Sequence, residues 1–183
     1  MSHMPTQPGA PSAMTPAEVV AQALELIQDS VSRYEQLQSC FNAHNNEAAA
    51  ELFGRIAAIG LATAAAVARL QPAEALPRIA PWDFLWRCPD VLAPRLDQSS
   101  PEDCHHPFAI AELIRLALQR EHCALTRLQD AHQQAHIAAS RAILARIVEQ
   151  QQQQLTELDA LLAAVTANEA TPPDDLDPPN RPE

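Results

Sequence analysis

The stretch IAASRAILARIVEQQQQQLTELDALLAAV, residues 137–165, decides the fold. Ile137, Leu144, Gln151, Leu158 and Val165 recur every seventh residue, with Ser140, Ile147, Gln154 and Leu161 as the companion row. That alternation marks one helix laid along a seam against others. Two glutamines occupy the seam where apolar residues belong. The preceding segment repeats the pattern in Ala111, Ile114, Leu118, Glu121, Leu125, Leu128 and His132, and so puts a carboxyl group into the same core. An unpaired carboxylate there is costly. Glu121, Gln151 and Gln154 are therefore expected within hydrogen-bonding reach of one another. Helix bundles build metal sites from inward carboxylates and histidines at this kind of mid-helix level.

Two earlier segments supply the other helices. Thr15 and Pro16 form a helix start, and Val20, Leu24, Ile27, Val31, Tyr34 and Phe41 give an inward row ending near Ala43. His44, Asn45 and Asn46 interrupt it and cap a second helix from Glu47 to about Leu70, whose inner row includes Leu52 or Phe53, Ile56, Gly60, Thr63 and Val67. So short a turn implies an antiparallel hairpin. Residues 71–106 are proline-rich and irregular, and carry the chain along the bundle, with Trp82, Phe84 and Trp86 expected to pack on its side. Pro107 should open the third helix, a turn is expected from Asp130 to His136, and the fourth helix should end near Ala167.

Composition agrees with one all-α domain. The 183 residues are 47% hydrophobic, much of it alanine, yet only 4% aromatic, which favours closely packed helices over strands. The expected organisation is a disordered leader over 1–14, a bundle over 15–168 and a disordered acidic, proline-rich tail over 169–183. A net charge of −11 with twelve Lys and Arg, unclustered along the chain, argues against nucleic acid as a partner. Residues 56–70 are apolar but too short to span a bilayer, so no membrane association is expected. The N-terminus has no signal-peptide pattern, which predicts a cytoplasmic protein. Cys40, Cys88, Cys104 and Cys123 form no CxxC pair and are expected as reduced thiols.

Several segments together resemble the rubrerythrin-like branch of the ferritin-fold proteins. They are the Arg33-Tyr34 pair with HNNEAAAELF at 44–53, ALPRI at 75–79 through Trp86, EDCHHP at 102–107 and LALQREHCA at 116–124. The resemblance spans about Thr15 to Val165 and implies a ferritin-like antiparallel four-helix bundle, two hairpins joined by a long crossover, commonly a homodimer. It also implies a di-iron centre built from a glutamate on helix one, an ExxH on helix two, a glutamate on helix three and an ExxH on helix four. Those positions fall on Ile27, on Gly60 and Thr63, on Glu121, and on Gln151 and Gln154. Glu121 is the sole plausible ligand among them, and the nearby Glu25 and Glu149 restore neither ExxH. Two iron ions need hard anionic oxygens and imidazoles, so no metal or other cofactor is expected, and no catalytic residue is assigned.

Three functions remain open to the sequence. The first is a non-catalytic scaffold or interaction module that has lost its di-iron ligands. The second is a metal-binding protein or oxidoreductase with a reduced site, a single iron or zinc ion near Glu121. The third is a bundle that holds an apolar small ligand where Gly60 and Thr63 replaced larger side chains. Cys104, His105 and His106 carry ligand types suited to zinc or copper, but His105 and His106 are more simply part of a cap and Cys123 a small core residue. His122 and Cys123 point about 100° apart on a helix and cannot easily share one ion. His132 and His136 straddle the expected turn.

Overall fold

Thr15 begins the first helix with a reciprocal cap. The Glu18 N–H donates to Thr15 Oγ1 at 3.2 Å, and the Thr15 N–H donates to the Glu18 carboxylate at 2.7 Å. Two donors that helical geometry leaves open are thereby satisfied. In this computed structural model, which describes residues 13–89 and 110–169, the helices are α1 (Pro16–Ala43), α2 (Glu47–Ala68), α3 (Ile110–Gln134) and α4 (Ala138–Glu169). The expectations for most of the leader, for Cys104, His105, His106 and Pro107, and for nearly all of the tail lie outside the described residues.

Asn45 turns the chain between α1 and α2 with φ of 57°, a left-handed conformation that asparagine tolerates better than most residues. Asn46 then caps α2 by accepting the Ala49 N–H at 3.2 Å. α1 packs chiefly on α2 and α3 on α4, which makes two hairpins. Among the described residues the chain is an all-α four-helix bundle, as its periodicity predicts. Phe53 stacks between Tyr34 and Phe41, with ring centroids 6.1 Å and 5.7 Å away, and so forms the aromatic spine of the first hairpin.

The second hairpin turns later than expected. Because α3 continues to Gln134, the turn occupies residues 135–137 and Ile137 is 38% exposed instead of opening the core row. Its carbonyl accepts the Arg141 N–H at 3.0 Å, while Arg141 Nε donates back to the Ala135 carbonyl at 3.0 Å. The buried row starts instead at Ser140, whose Oγ donates to the Met14 carbonyl at 2.7 Å and ties the start of α4 to the approach to α1. α4 ends at Glu169 and α2 at Ala68, each close to the end expected near Ala167 and about Leu70. Leu24, Leu125, His132 and Val165 lie only half-buried at the edges of their rows.

The crossover aromatics also divide. Trp86 is buried and Phe84 half-buried, but Trp82 is 82% exposed, contrary to expectation. Gln22 decides this placement: its Nε2 donates to the Asp83 carbonyl at 2.9 Å and its Oε1 accepts the Leu85 N–H at 3.0 Å. Backbone held at 83 and 85 leaves Trp82 outside the contact. Another correction concerns thiols: Cys40 is disulfide-bonded, whereas Cys88 and Cys123 are free. Chain spacing carries no sign of that bond.

α2 as a whole is longer and more apolar than the stretch singled out in the sequence. At 22 residues with a hydropathy of 1.5, it would suffice by composition to cross a membrane. Its buried face, from Ala49 to Val67, is bundle core. Two glycines on α2 behave oppositely. A Cβ at Gly54 would meet only the flexible end of Gln38, at 2.6 Å, so Gly54→Ala should raise stability by up to about 1 kcal/mol through helix propensity. A Cβ at Gly60 would lie 2.7 Å from Val31 Cγ2, a stiff β-branched neighbour, and overpacking of about 1–3 kcal/mol should cancel or exceed that gain. Paired thermal melts of the two variants check the contrast.

Candidate functional site

All six positions that the resemblance assigns to metal ligands, Ile27, Gly60, Thr63, Glu121, Gln151 and Gln154, are buried. They do not form one connected polar cluster. Glu121 accepts a hydrogen bond at each oxygen: the Tyr34 hydroxyl donates to Oε1 at 2.7 Å and Gln151 Nε2 donates to Oε2 at 2.8 Å. Tyr34 comes from α1, Glu121 from α3 and Gln151 from α4, so the contact fastens both hairpins to each other. Gln154, expected as the third partner, is absent from it. One turn along α4 its Oε1 is buried without a partner among the described residues.

The space expected at Gly60 is closed by Val31, for the reason that its missing Cβ indicates. A cavity lies instead beside Thr63 and Gln154, with a volume of about 180 Å³ and walls that include Gln150, Gln153, Arg69 and Glu157. It is polar, not the apolar chamber that small residues at 60 and 63 suggest. Thr63 Oγ1 donates to the Ile59 carbonyl at 3.2 Å, which leaves its lone pairs and Gln154 Oε1 as acceptors. A water or another small donor is the occupant such walls suit.

The Tyr34 hydroxyl is held far from ionisation. Burial raises its pKa well above 10, and the Glu121 charge and hydrogen bond add to the shift. The chain has a single tyrosine, so phenolate absorbance reports this residue alone. In an alkaline titration the native protein should show no phenolate at pH 10, where a free tyrosine is half ionised. The signal should appear only as the fold is lost. A raised folded pKa means that the contribution is complete below the unfolded value near 10 and fades as pH rises above it. A normal titration curve in folded protein would contradict the Tyr34–Glu121 contact.

Beside this layer, Arg120 is buried and donates from Nε to Ser30 Oγ at 3.0 Å and from Nη2 to Asp29 at 2.6 Å. Burial works against its charge, but Tyr34, Asp29 and Glu121 outweigh it and raise the pKa. The crossover brings Cys88 against Cys123. Burial first, then the hydrogen bond with Cys123, pushes the Cys88 thiol up to about 12. It stays a thiol at neutral pH, so Cys88 should alkylate far more slowly than an ordinary cysteine, as timed mass spectrometry would read. His122 is exposed beside half-buried Cys123, and His132 lies on α3 while His136 lies in the turn. Among the described residues, no three His, Cys, Asp or Glu side chains converge as a metal-binding group.

No family model matches the chain, and no curated protein matches it. Among solved structures it is similar to the crystal structure of an uncharacterized conserved protein from Magnetospirillum magnetotacticum MS-1, with a TM-score of 0.56 and 20% identity. The two chains share a fold. The match covers 82% of this chain and 95% of the other. At that identity the likeness reaches no further than architecture.

Tyr34 is the site residue that reading the helices separately misses. It stands in the inward row of α1, but its partner is 87 residues away. The available signal was chemical: a core carboxyl needs donors, and the chain's one phenol faces the same core.

Proposed function

We propose that the protein is a rubrerythrin-like, ferritin-fold bundle in which a hydrogen-bonded polar layer has replaced the di-iron centre, and that it acts as a non-catalytic scaffold or interaction module. The observation that carries this reading is the state of Glu121. Both of its oxygens are taken by neutral donors from other helices, an arrangement that satisfies a buried carboxyl group without a cation. The other five ligand positions hold Ile27, Gly60, Thr63, Gln151 and Gln154, none of which supplies the anionic oxygen or imidazole that iron needs.

The ferritin-fold resemblance also supports a homodimer. The outer face of α2, with Leu61 half-exposed among alanines, is the apolar surface available for it. Sedimentation of the wild type and of Leu61→Glu tests this: a dimeric mass that falls to a monomer in the variant is the expected result. A monomeric wild type would remove the dimer from the proposal.

The reading as a whole is tested by loading the purified full chain with ferrous iron and, separately, with zinc, followed by elemental analysis after desalting. Substoichiometric metal is expected in both cases. One retained ion per chain, lost in Glu121→Gln, would favour a reduced single-metal site at Glu121 instead.

A further inference from the structure

Two free thiols that lie far apart in the sequence meet beside the bundle core. Cys88 on the crossover and Cys123 on α3 are both unbonded, and a hydrogen bond joins them. Such a bond already brings the two sulfur atoms nearly into contact. Bonded sulfurs stand about 2.0 Å apart, so only a short approach separates this pair from a disulfide. Both side chains belong to the same hydrophobic cluster. Gln22 holds the crossover backbone at 83 and 85, and Cys88 follows three residues later, so the pair is kept adjacent.

The two sulfurs differ in their access to solution. Cys123 is half-buried next to exposed His122, whereas Cys88 is buried. A dissolved oxidant therefore meets Cys123 first, and Cys88 is the nucleophile beside whatever forms there. Cys88 also stands in the wall of a cavity of about 330 Å³ that Arg33, Arg87 and Arg120 help to line, which gives water a route to its proton. Burial suppresses the Cys88 thiolate, but the positive charges of Arg120 and Arg127 act the other way.

We propose that Cys88 and Cys123 form a redox-active dithiol that small disulfides, such as that of glutathione, oxidise, and that its closure fixes the crossover to α3. The Cys123 thiolate attacks one sulfur of the small disulfide, forms a mixed disulfide and releases one small thiol. Cys88 then gives its proton to water, its sulfur attacks the Cys123 sulfur, and the second small thiol departs. Two protein thiols become one protein disulfide while the small disulfide is reduced to two thiols, so atoms and electrons balance. Proximity offsets the low thiolate fraction of Cys88 in the second step. The pair is separate from the hydrogen bonds of Glu121 and does not depend on the scaffold reading.

The test treats the folded full chain with glutathione disulfide at neutral pH, traps the remaining thiols by alkylation and maps the tryptic peptides. Peptides 88–95 and 121–127 joined by a disulfide, and separated again by dithiothreitol, are the expected product. Cys88→Ser should stop at a mixed disulfide on Cys123. Cys123→Ser should react at least about tenfold more slowly than the wild type, since the thiol it keeps is the buried one. The linked wild type should melt several degrees above the untreated protein, because the bond restricts the unfolded chain, and neither variant should show that rise. A stable mixed disulfide in the wild type, a link from peptide 121–127 to the peptide that carries Cys40, a link that forms only in denaturant or an unchanged melt of the linked protein would each overturn the proposal.

Discussion

Glu121→Ala is expected to lower the unfolding free energy by roughly 3–5 kcal/mol, while Glu121→Gln should change it by no more than about 1 kcal/mol. The alanine variant removes the common acceptor of the Tyr34 hydroxyl and Gln151 Nε2 and leaves both donors buried without a partner. It also opens a void between α1, α3 and α4. Glutamine keeps the shape: its carbonyl can accept from Gln151, and its amide can donate to Tyr34, whose hydroxyl both donates and accepts. Denaturant melts at neutral pH measure both. If glutamine proves as damaging as alanine, the carboxylate charge itself is needed, and an uncompensated positive partner or a bound cation must be present.

Phe53→Ala should cost a similar amount, about 3–5 kcal/mol, for an unrelated reason. Phe53 is fully buried and its ring lies between those of Tyr34 and Phe41. The truncation removes a large apolar side chain and two aromatic contacts. Because Tyr34 then loses its packing partner, the alkaline titration should also change, with phenolate appearing at lower pH than in the wild type. A variant with unchanged stability would show that the first hairpin is not held by this stack. Phe53 and Glu121 both touch Tyr34, so the double variant should lose less than the sum of the two single losses.

Much of the fold was legible because helix periodicity is a local property. The rows through Leu144, Ile147, Leu158 and Leu161 and through Ile114, Glu121 and Leu128 point inward as their spacing requires. The hairpin turn at Asn45 and Asn46 was legible as well, since asparagine both tolerates the left-handed backbone and caps the next helix. The second turn was misplaced because nothing in residues 130–136 breaks a helix, and α3 simply continues through them. Ile137 consequently serves as a cap rather than as core.

The site was legible only in outline. Its level could be found from the polar residues in the seam, but the partners of Glu121 depend on how α1 meets α3, which no single-helix pattern contains. The same holds for Gln22, whose grip on the crossover sets Trp86 inside and Trp82 outside. Basic residues searched for as a run along the chain give no cluster. In space, Arg33, Arg87 and Arg120 form one, because the crossover returns Arg87 to the groove beside α1 and α3.

The central claim, that Glu121 is a satisfied structural carboxyl and not a remnant metal ligand, is tested most directly by thermal melts of the wild type and Glu121→Gln at neutral pH, with and without ferrous iron or zinc. Both proteins should melt at nearly the same temperature, and neither should gain from metal, since a ligand stabilises only what it binds in the folded state. A wild type that gains several degrees with iron or zinc while Glu121→Gln gains none would contradict it.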